Sequence, residues 1–201
     1  MKRLFLTSFG LGAFADFVGK DPKTVSIGFI PTAADLYKNQ WFIDSDRKFM
    51  SELGFNIVDV NIGDKSQLAK LNDVDVIYVG GGNTFYLLDK AVESGGLELI
   101  RKLVNGGTLY AGSSAGAVFA GPSIAPVAFI DDPQDAPNLK TTDSLGLVDF
   151  VVLPHYGKEK YLDRSKNVME EFKDKGFKLI TLNDEQAIVV EGDKYQIIES
   201  K

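Results

Sequence analysis

Short apolar runs alternate along the chain with longer segments in which apolar residues recur every three or four positions. The short runs are rich in Val, Ile and Phe and lack polar alternation, which is typical of strands buried on both faces of a parallel sheet. Strands are predicted at Arg3–Thr7, Val25–Ile30, Phe55–Asn61, Val76–Val79, Thr108–Ala111, Val148–Leu153 and Lys178–Leu182.

The longer segments predict amphipathic helices, because their apolar residues fall on one stripe at helical spacing. Gly54 and Gly176 follow two of these segments and supply C-terminal stops. Near the C-terminus, Gln186–Val190 and Tyr195–Ile198 flank Glu-Gly-Asp-Lys, which predicts a hairpin. Helices are predicted at Leu36–Leu53, Thr84–Ser94, Leu97–Val104 and Tyr161–Lys175.

The alternation of strands and helices predicts a doubly wound α/β fold with a mostly parallel sheet and helices on both faces. No linker, repeat or low-complexity tract interrupts the chain, so residues 1–201 are expected to form a single domain. In such sheets the functional sites lie outside the carboxyl ends of the strands. The loops at those ends are therefore the places to look for chemistry.

Composition narrows the chemistry that these loops can perform. The net charge of −6 argues against a nucleic-acid or anionic-membrane partner, since both favour a basic face. The chain has no Cys and one His, which excludes disulfides, a Cys nucleophile and a His-rich metal site. No metal and no cofactor are expected.

The first sixteen residues admit two interpretations. Lys2 and Arg3 followed by an apolar stretch and Ala13-Phe14-Ala15 resemble a secretory signal with its cleavage site. The alternative is a buried first strand, Arg3–Thr7, followed by a Gly-containing loop. We favour the strand because cleavage would remove an element of the sheet. A cytoplasmic location is then expected, and the absence of Cys is consistent with it.

Three loops at strand ends could share a site. Ser114 lies in a G-x-S-x-G pattern between a strand and small, helix-compatible residues, which is typical of a nucleophile on a sharp turn. The backbone N–H of Ala115 would then be an oxyanion donor. Gly80-Gly81-Gly82-Asn83 follows another strand and could present backbone N–H groups at a helix start, which Asn83 could cap. Each motif alone also fits a plain tight turn.

The third loop contains the only His of the chain, His155, at the end of the Val148–Leu153 strand. A Ser hydroxyl needs an adjacent base, and His is best suited to that task near neutral pH. A third group must orient the imidazole, and Asp131, Asp132 and Asp135 are candidates. Each of them could equally be a solvated turn residue, and the residues alone do not choose among them.

Together these motifs resemble the peptidase E family, whose type member is an aspartyl dipeptidase and which has cyanophycinase as a more distant relative. The resemblance extends from Leu-Phe-Leu-Thr-Ser near the start, through Gly-Gly-Gly-Asn-Thr, the Ser114 motif and Pro-His-Tyr, to the C-terminal hairpin. It implies a three-layer α/β fold related to class I glutamine amidotransferase domains. It also implies a serine peptidase that acts on small peptides.

Carried over by position, the resemblance makes Ser114 the nucleophile and His155 the base, with Gly82 and Ala115 as oxyanion donors. It favours Asp131 as the third triad member, with Asp132 as the alternative. The residues expected to bind substrate are Asn83, Tyr156 and Arg164, of which Arg164 matches by position a family Arg that resembles a binder of an acidic side chain.

Specificity and partners follow less directly from the sequence. Lys158, Lys160 and Arg164 could receive an acidic side chain, as in a dipeptidase that prefers an N-terminal acidic residue, or could form a solvated helix start. Two features differ from the aspartyl dipeptidase, which is more polar before the triad Asp and has a bulky residue before the nucleophile. Here the residues before Asp131 are apolar and the small Ser113 precedes the nucleophile, which argues against a strict preference for Asp. The expected partner is a small peptide substrate, and a homodimer stays open. A non-catalytic amidotransferase-like binding domain, an esterase and a cyanophycinase-like enzyme are the alternatives.

Overall fold

The computed structural model describes residues 1–201 and contains nine β-strands. Every strand predicted from the sequence is present, and the predicted ends differ from the observed ones by up to three residues. The strands are β1 (Arg3–Thr7), β2 (Ser26–Ile30), β3 (Asn56–Asp59), β4 (Val76–Val79), β5 (Leu109–Ser113), β6 (Val151–Leu153), β7 (Leu179–Thr181), β8 (Gln186–Glu191) and β9 (Lys194–Glu199).

Seven of the strands form a central sheet in the order β3-β2-β4-β5-β1-β8-β9. The five strands from β3 to β1 pair in parallel, whereas β8 is antiparallel to β1 and forms a hairpin with β9. The mostly parallel sheet and the C-terminal hairpin confirm the prediction. The pattern gave no sign that β6 and β7 form a separate two-stranded parallel sheet.

Six α-helices connect or follow the strands: α1 (Phe14–Val18), α2 (Trp41–Leu53), α3 (Thr84–Ser94), α4 (Gly96–Asn105), α5 (Ala115–Phe119) and α6 (Leu162–Phe172). The short α1 was not predicted, because five residues are too few to show a helical period. None of the helices is long and apolar enough to cross a lipid bilayer.

Helix α2 begins five residues later than predicted. The Gln40 side chain donates a hydrogen bond to the carbonyl of Ala34 at 2.9 Å, and the Asn39 side chain accepts one from the N–H of Trp41 at 3.2 Å. Such side-chain bonds to the backbone compete with helical hydrogen bonds. The segment before Trp41 therefore stays irregular, and Leu36 and Tyr37 remain exposed.

Alternate residues of the central strands enter two separate apolar cores. Val76 and Tyr78 of β4 pack with residues of α1 and α2, whereas Ile77 and Val79 pack with residues of α3, α4 and α5. All four are completely buried. This alternation, with period two, sandwiches the sheet between two helical layers and confirms the three-layer architecture.

A buried acid–phenol pair lies in the core beside α2. The hydroxyl of Tyr78 donates a hydrogen bond to Oδ2 of Asp46 at 2.5 Å, and Asp46 is only 6% exposed. Burial raises the pKa of Asp46 to about 7, although the bond from Tyr78 acts in the opposite direction. The folded protein thus holds a proton on Asp46 at pH values where the unfolded chain has released it.

This proton uptake should make the folded protein lose stability as the pH rises from about 4 to about 7. The folded state binds more protons across that interval, and each pKa difference of one corresponds to about 1.4 kcal/mol. The free energy of unfolding should therefore fall by on the order of 4 kcal/mol across the interval. In Asp46→Asn this contribution to the decline should be absent, as urea unfolding at pH 4 and pH 8 would measure. The control variant Asp44→Asn, at an exposed position of the same helix, should retain the full decline in stability. Matching pH profiles for Asp46→Asn and the unchanged protein would contradict the prediction.

Candidate active site

Ser114 lies on a sharp turn between β5 and α5, with φ 48° and ψ −107°. Its backbone N–H donates to the carbonyl of Thr7 at 3.0 Å, which holds the turn against β1. A Cβ at Gly116 would lie 2.0 Å from the carbonyl oxygen of Val79, so this position of the motif admits only glycine. The G-x-S-x-G spacing thus reflects close packing of the turn on the sheet.

His155 follows β6 and reaches Ser114 across the cleft. Its Nε2 is 2.9 Å from Oγ of Ser114. Its backbone φ of 59° is in the left-handed region, as is that of Ser114, and these are the only two non-glycine residues there. Such conformations cost about 1–3 kcal/mol each and persist where the surroundings enforce them. The N–H of His155 donates to Oγ of Ser8 at 2.7 Å, and its ring stacks on Tyr161 with centroids 5.0 Å apart.

Asp184 accepts a hydrogen bond from the imidazole nitrogen of His155 that faces away from Ser114. Its Oδ1 is 2.6 Å from Nδ1 of His155 and 2.9 Å from the Ser8 hydroxyl that donates to it, and Lys158 forms an ion pair with its Oδ2. Burial alone would raise the pKa of Asp184, but the hydrogen bonds from His155 and Lys158 outweigh it and hold the pKa well below its usual range. The carboxylate is therefore charged at neutral pH and favours the imidazole tautomer with its proton on Nδ1.

The glycine loop after β4 lies against the turn that carries Ser114. A Cβ at Gly81 would lie 3.3 Å from Cβ of Ser114. Gly82 has φ 143°, its N–H has no hydrogen-bond partner, and a Cβ there would lie 2.0 Å from the carbonyl oxygen of Ala33. Ala115 is the first residue of α5, where N–H groups have no partner within the helix. Gly82 and Ala115 thus each carry a backbone N–H group without a backbone partner close to the turn of Ser114.

The sequence model of peptidase family S51 matches residues 9–198, nearly the whole chain. The chain belongs to peptidase family S51. It is therefore a serine-type peptidase, a hydrolase of peptide bonds.

Proteins of similar sequence are also peptidases by name. An uncharacterized peptidase of Listeria innocua is 34% identical over 205 residues, which cover 96% of this chain and 95% of the relative. Peptidase E of Streptomyces coelicolor is 29% identical over 181 residues, 86% of this chain and 71% of the relative. Peptidase E of Haemophilus influenzae is 41% identical over a shorter stretch of 110 residues, 55% of this chain and 48% of the relative.

Solved structures agree with the fold. The crystal structure of a Listeria monocytogenes protein provisionally assigned to peptidase E superposes with a TM-score of 0.91 and 30% sequence identity, covering 99% of this chain and 98% of that one. A peptidase from an acI-B1 actinobacterium superposes with a TM-score of 0.72 and 21% identity over 99% of this chain and 88% of that one. The second likeness, at that identity, extends to the fold alone.

The expectation that Asp131 orients the imidazole of this S51 peptidase is not met by the geometry. Its Oδ2 accepts from the backbone N–H and the hydroxyl of Thr84 at 2.9 and 2.5 Å, at the start of α3. Burial raises the pKa of Asp131, against the lowering effect of Thr84 and of the nearby His155. The alternative, Asp132, caps a turn through the N–H of Gln134 at 2.9 Å. Neither carboxylate bonds to the imidazole.

Asp184 is the residue that sequence reasoning missed, although a signal for it existed. It lies just beyond the carboxyl end of β7, as His155 lies just beyond the end of β6. Because β6 and β7 pair in parallel, their carboxyl ends lie side by side. The rule that selected the His155 loop therefore selects Asp184 as well.

The residues expected to bind substrate have other partners or none. Asn83 is 2% exposed, and its amide caps α3 by accepting from the N–H of Tyr86 while donating to the side chain of Asp135. Tyr156 is 46% exposed, and its side chain forms no hydrogen bond. Arg164 donates to the carbonyl of Ile130 at 3.1 Å. Asn83 is thus buried inside the protein, and the other two lie at the surface near the cleft.

Proposed function

We propose that this S51 peptidase, with residues 1–201 as one catalytic domain, hydrolyses short peptides through Ser114, His155 and Asp184. The observation that carries the proposal is the unbroken chain of contacts from Oγ of Ser114 through both imidazole nitrogens to the carboxylate of Asp184. This is the arrangement that nucleophilic acyl transfer by a serine requires. A non-catalytic binding domain would leave this chain, and the two left-handed residues within it, without a purpose.

In the proposed mechanism, Oγ of Ser114 attacks the scissile carbonyl carbon while Nε2 of His155 takes the hydroxyl proton. Asp184 keeps the imidazole in the required tautomer and stabilises the imidazolium that forms. The N–H groups of Gly82 and Ala115 stabilise the tetrahedral oxyanion, an effect worth about 3–4 kcal/mol per donor in other enzymes. His155 then protonates the leaving amine as the C–N bond breaks. Water, deprotonated by His155, hydrolyses the acyl-enzyme and restores Ser114.

Ser8 and Lys158 are proposed to position the acid of the triad. The Ser8 hydroxyl donates to Oδ1 of Asp184 and accepts the backbone N–H of His155, so it joins the two residues. Lys158 engages the other carboxylate oxygen. With both oxygens fixed, the carboxylate cannot rotate away from the imidazole.

A preference for acidic substrates is not part of the proposal. Lys158 is neutralised by Asp184, and Lys160 lies over the ring of Tyr161, 5.1 Å from its centroid. Arg164 donates to a backbone carbonyl and lies near the carboxylate of Asp131. The three cations after His155 therefore do not form a free pocket for a carboxylate.

The test is labelling with a fluorophosphonate, in which the serine oxygen displaces fluoride and forms a phosphonate ester. We expect one adduct per chain, located on Ser114 by peptide mapping, because only an activated serine reacts at a useful rate. Ser113, the neighbouring residue, should stay unmodified and serves as an internal control. His155→Ala should abolish labelling while leaving the fold intact by circular dichroism. A folded protein that takes up no label, or takes it up equally without His155, would rule the proposal out.

A further inference from the structure

A set of aromatic side chains lies close to Ser114 and His155. We define the aromatic band as Phe9, Tyr37, Trp41, Phe42 and Tyr161. Within it, the rings of Phe9 and Trp41 have centroids 5.8 Å apart, those of Trp41 and Phe42 6.0 Å, and those of Tyr37 and Phe42 6.0 Å. These distances are in the range of direct aromatic contact.

The aromatic band adjoins the proposed catalytic residues at three points. Phe9 directly follows Ser8, which bonds both His155 and Asp184. The ring of Tyr161 stacks on the ring of His155. The ring of Phe42 lies against the glycine loop, 3.9 Å from the position that a Cβ of Gly81 would occupy. That same Cβ position is 3.3 Å from Cβ of Ser114. A group held against Phe42 would thus lie next to the nucleophile.

Two members of the aromatic band are open to solvent. Trp41 is 57% exposed and Tyr37 42%, although α2 and the segment before it pack on the core through other residues. Contiguous exposed apolar surface on a protein of this kind usually marks a binding site. Because the aromatic band adjoins Ser114 through the glycine loop, the occupant that it best fits is part of the substrate.

The charges beside the aromatic band disfavour an acidic occupant. Burial, and then the charge of Asp131, raise the pKa of Tyr37, which places a carboxylate close to this ring. Asp135 contributes in the same direction. Lys158, the cation nearest Phe9, is held by Asp184. An acidic side chain would meet carboxylates here, whereas an apolar one would bury its surface on aromatic rings at no electrostatic cost.

We propose that the aromatic band binds an apolar, preferably aromatic, side chain of a substrate residue that flanks the scissile bond. This inference rests on the proposed function, because it takes Ser114 as the point of cleavage. It assigns the substrate class as short peptides with a bulky apolar residue at the cleaved bond.

The test compares kcat/KM on dipeptides that vary at one residue, Phe-Ala, Asp-Ala and Ala-Ala, and on the reversed series with Ala first. We expect Phe to exceed Asp at least tenfold in one of the two series, and that series identifies the side of the bond that contacts the band. Trp41→Ala should lower turnover of the favoured Phe substrate about tenfold and leave Ala-Ala within twofold, as expected for lost apolar contact. Trp41→Phe should restore most of the loss. Tyr195→Ala, an exposed aromatic on the hairpin, is the matched control and should change nothing.

Three outcomes would overturn the inference: preference for Asp over Phe, equal losses on all substrates in Trp41→Ala, or conversion of a dimer to a monomer by Trp41→Ala without a change in specificity. The last, seen by sedimentation, would make the band an interface between copies. Fluorophosphonate labelling separates this inference from the proposed function. A labelled Ser114 with no Phe preference contradicts only the aromatic band, whereas no label contradicts both.

Discussion

Replacing Ser114 with Ala should lower peptide turnover by about 10⁶-fold, the loss seen when a triad nucleophile is removed elsewhere. The chain has no Cys, and the other hydroxyl beside the imidazole, that of Ser8, is 3.4 Å from Nδ1 and donates to Asp184, whereas Oγ of Ser114 is 2.9 Å from Nε2. His155→Ala should cost about as much, and the double variant no more than either single one, because the two residues act as a unit. Single-turnover and steady-state assays on a peptide cleaved by the unchanged enzyme would measure this.

Ser113→Ala is the matched control for that loss. Ser113 precedes the nucleophile at the end of β5 and is buried, but it does not contact His155. Its replacement should keep activity within about tenfold, since it removes no group from the proposed reaction. Residual activity above a few per cent in Ser114→Ala, with Ser113→Ala unchanged, would mean that another residue initiates cleavage.

Asp184→Asn should lower kcat by about 10⁴-fold with little effect on substrate binding, and it should also lower stability at neutral pH because the contacts of the charged carboxylate with His155 and Lys158 are weakened. An amide at this position can donate to Nδ1 and so favours the wrong imidazole tautomer, which costs about that factor in a serine protease with the same geometry. Because hydrogen bonds from His155 and Lys158 hold the pKa of Asp184 well below its usual range, its carboxylate should stay charged across mildly acidic pH. The variant should therefore lose activity at every pH in that range.

Asp131→Asn is the discriminating comparison for Asp184→Asn. Its side chain bonds Thr84, and an amide oxygen can still accept that bond, so kcat should fall by less than tenfold. The two aspartates are thus assigned opposite outcomes for the same chemical change. A loss of 10⁴-fold in Asp131→Asn, with Asp184→Asn nearly unchanged, would return the third triad position to Asp131, which the family resemblance favoured.

Two physical rules account for how far the site could be predicted. The turn at Ser114 could be recognised from the sequence, because the close approach of Gly116 to the sheet requires glycine at that position. His155 is the only histidine and follows a recognisable strand, so it could be selected by elimination and position. No comparable sequence signal singled out Asp184, because aspartates after strands and in turns are common. The family resemblance then favoured Asp131, whose carboxylate lies near His155 but forms no hydrogen bond with it.

The fold shows the same division between local and long-range information. The buried runs that form β1 and β4 were predicted with their exact ends, since a strand covered on both faces is apolar throughout. The assignment of β6 and β7 to their own sheet depends on pairing between residues nearly thirty positions apart, which the hydrophobic pattern does not encode. The late start of α2 depends on the side-chain bonds of Asn39 and Gln40.

The proposed catalytic residues are divided between the two sheets. Ser114 follows a strand of the central sheet, His155 follows a strand of the small one, and Asp184 lies on the segment that passes from the small sheet to the central one. Hydrolysis therefore requires the small sheet to stay in place against the central sheet, because any local opening between the two separates nucleophile from base. Val151 and Val152 of the small sheet also belong to the main apolar core, so a copy damaged by heat or denaturant should lose its activity together with its fold.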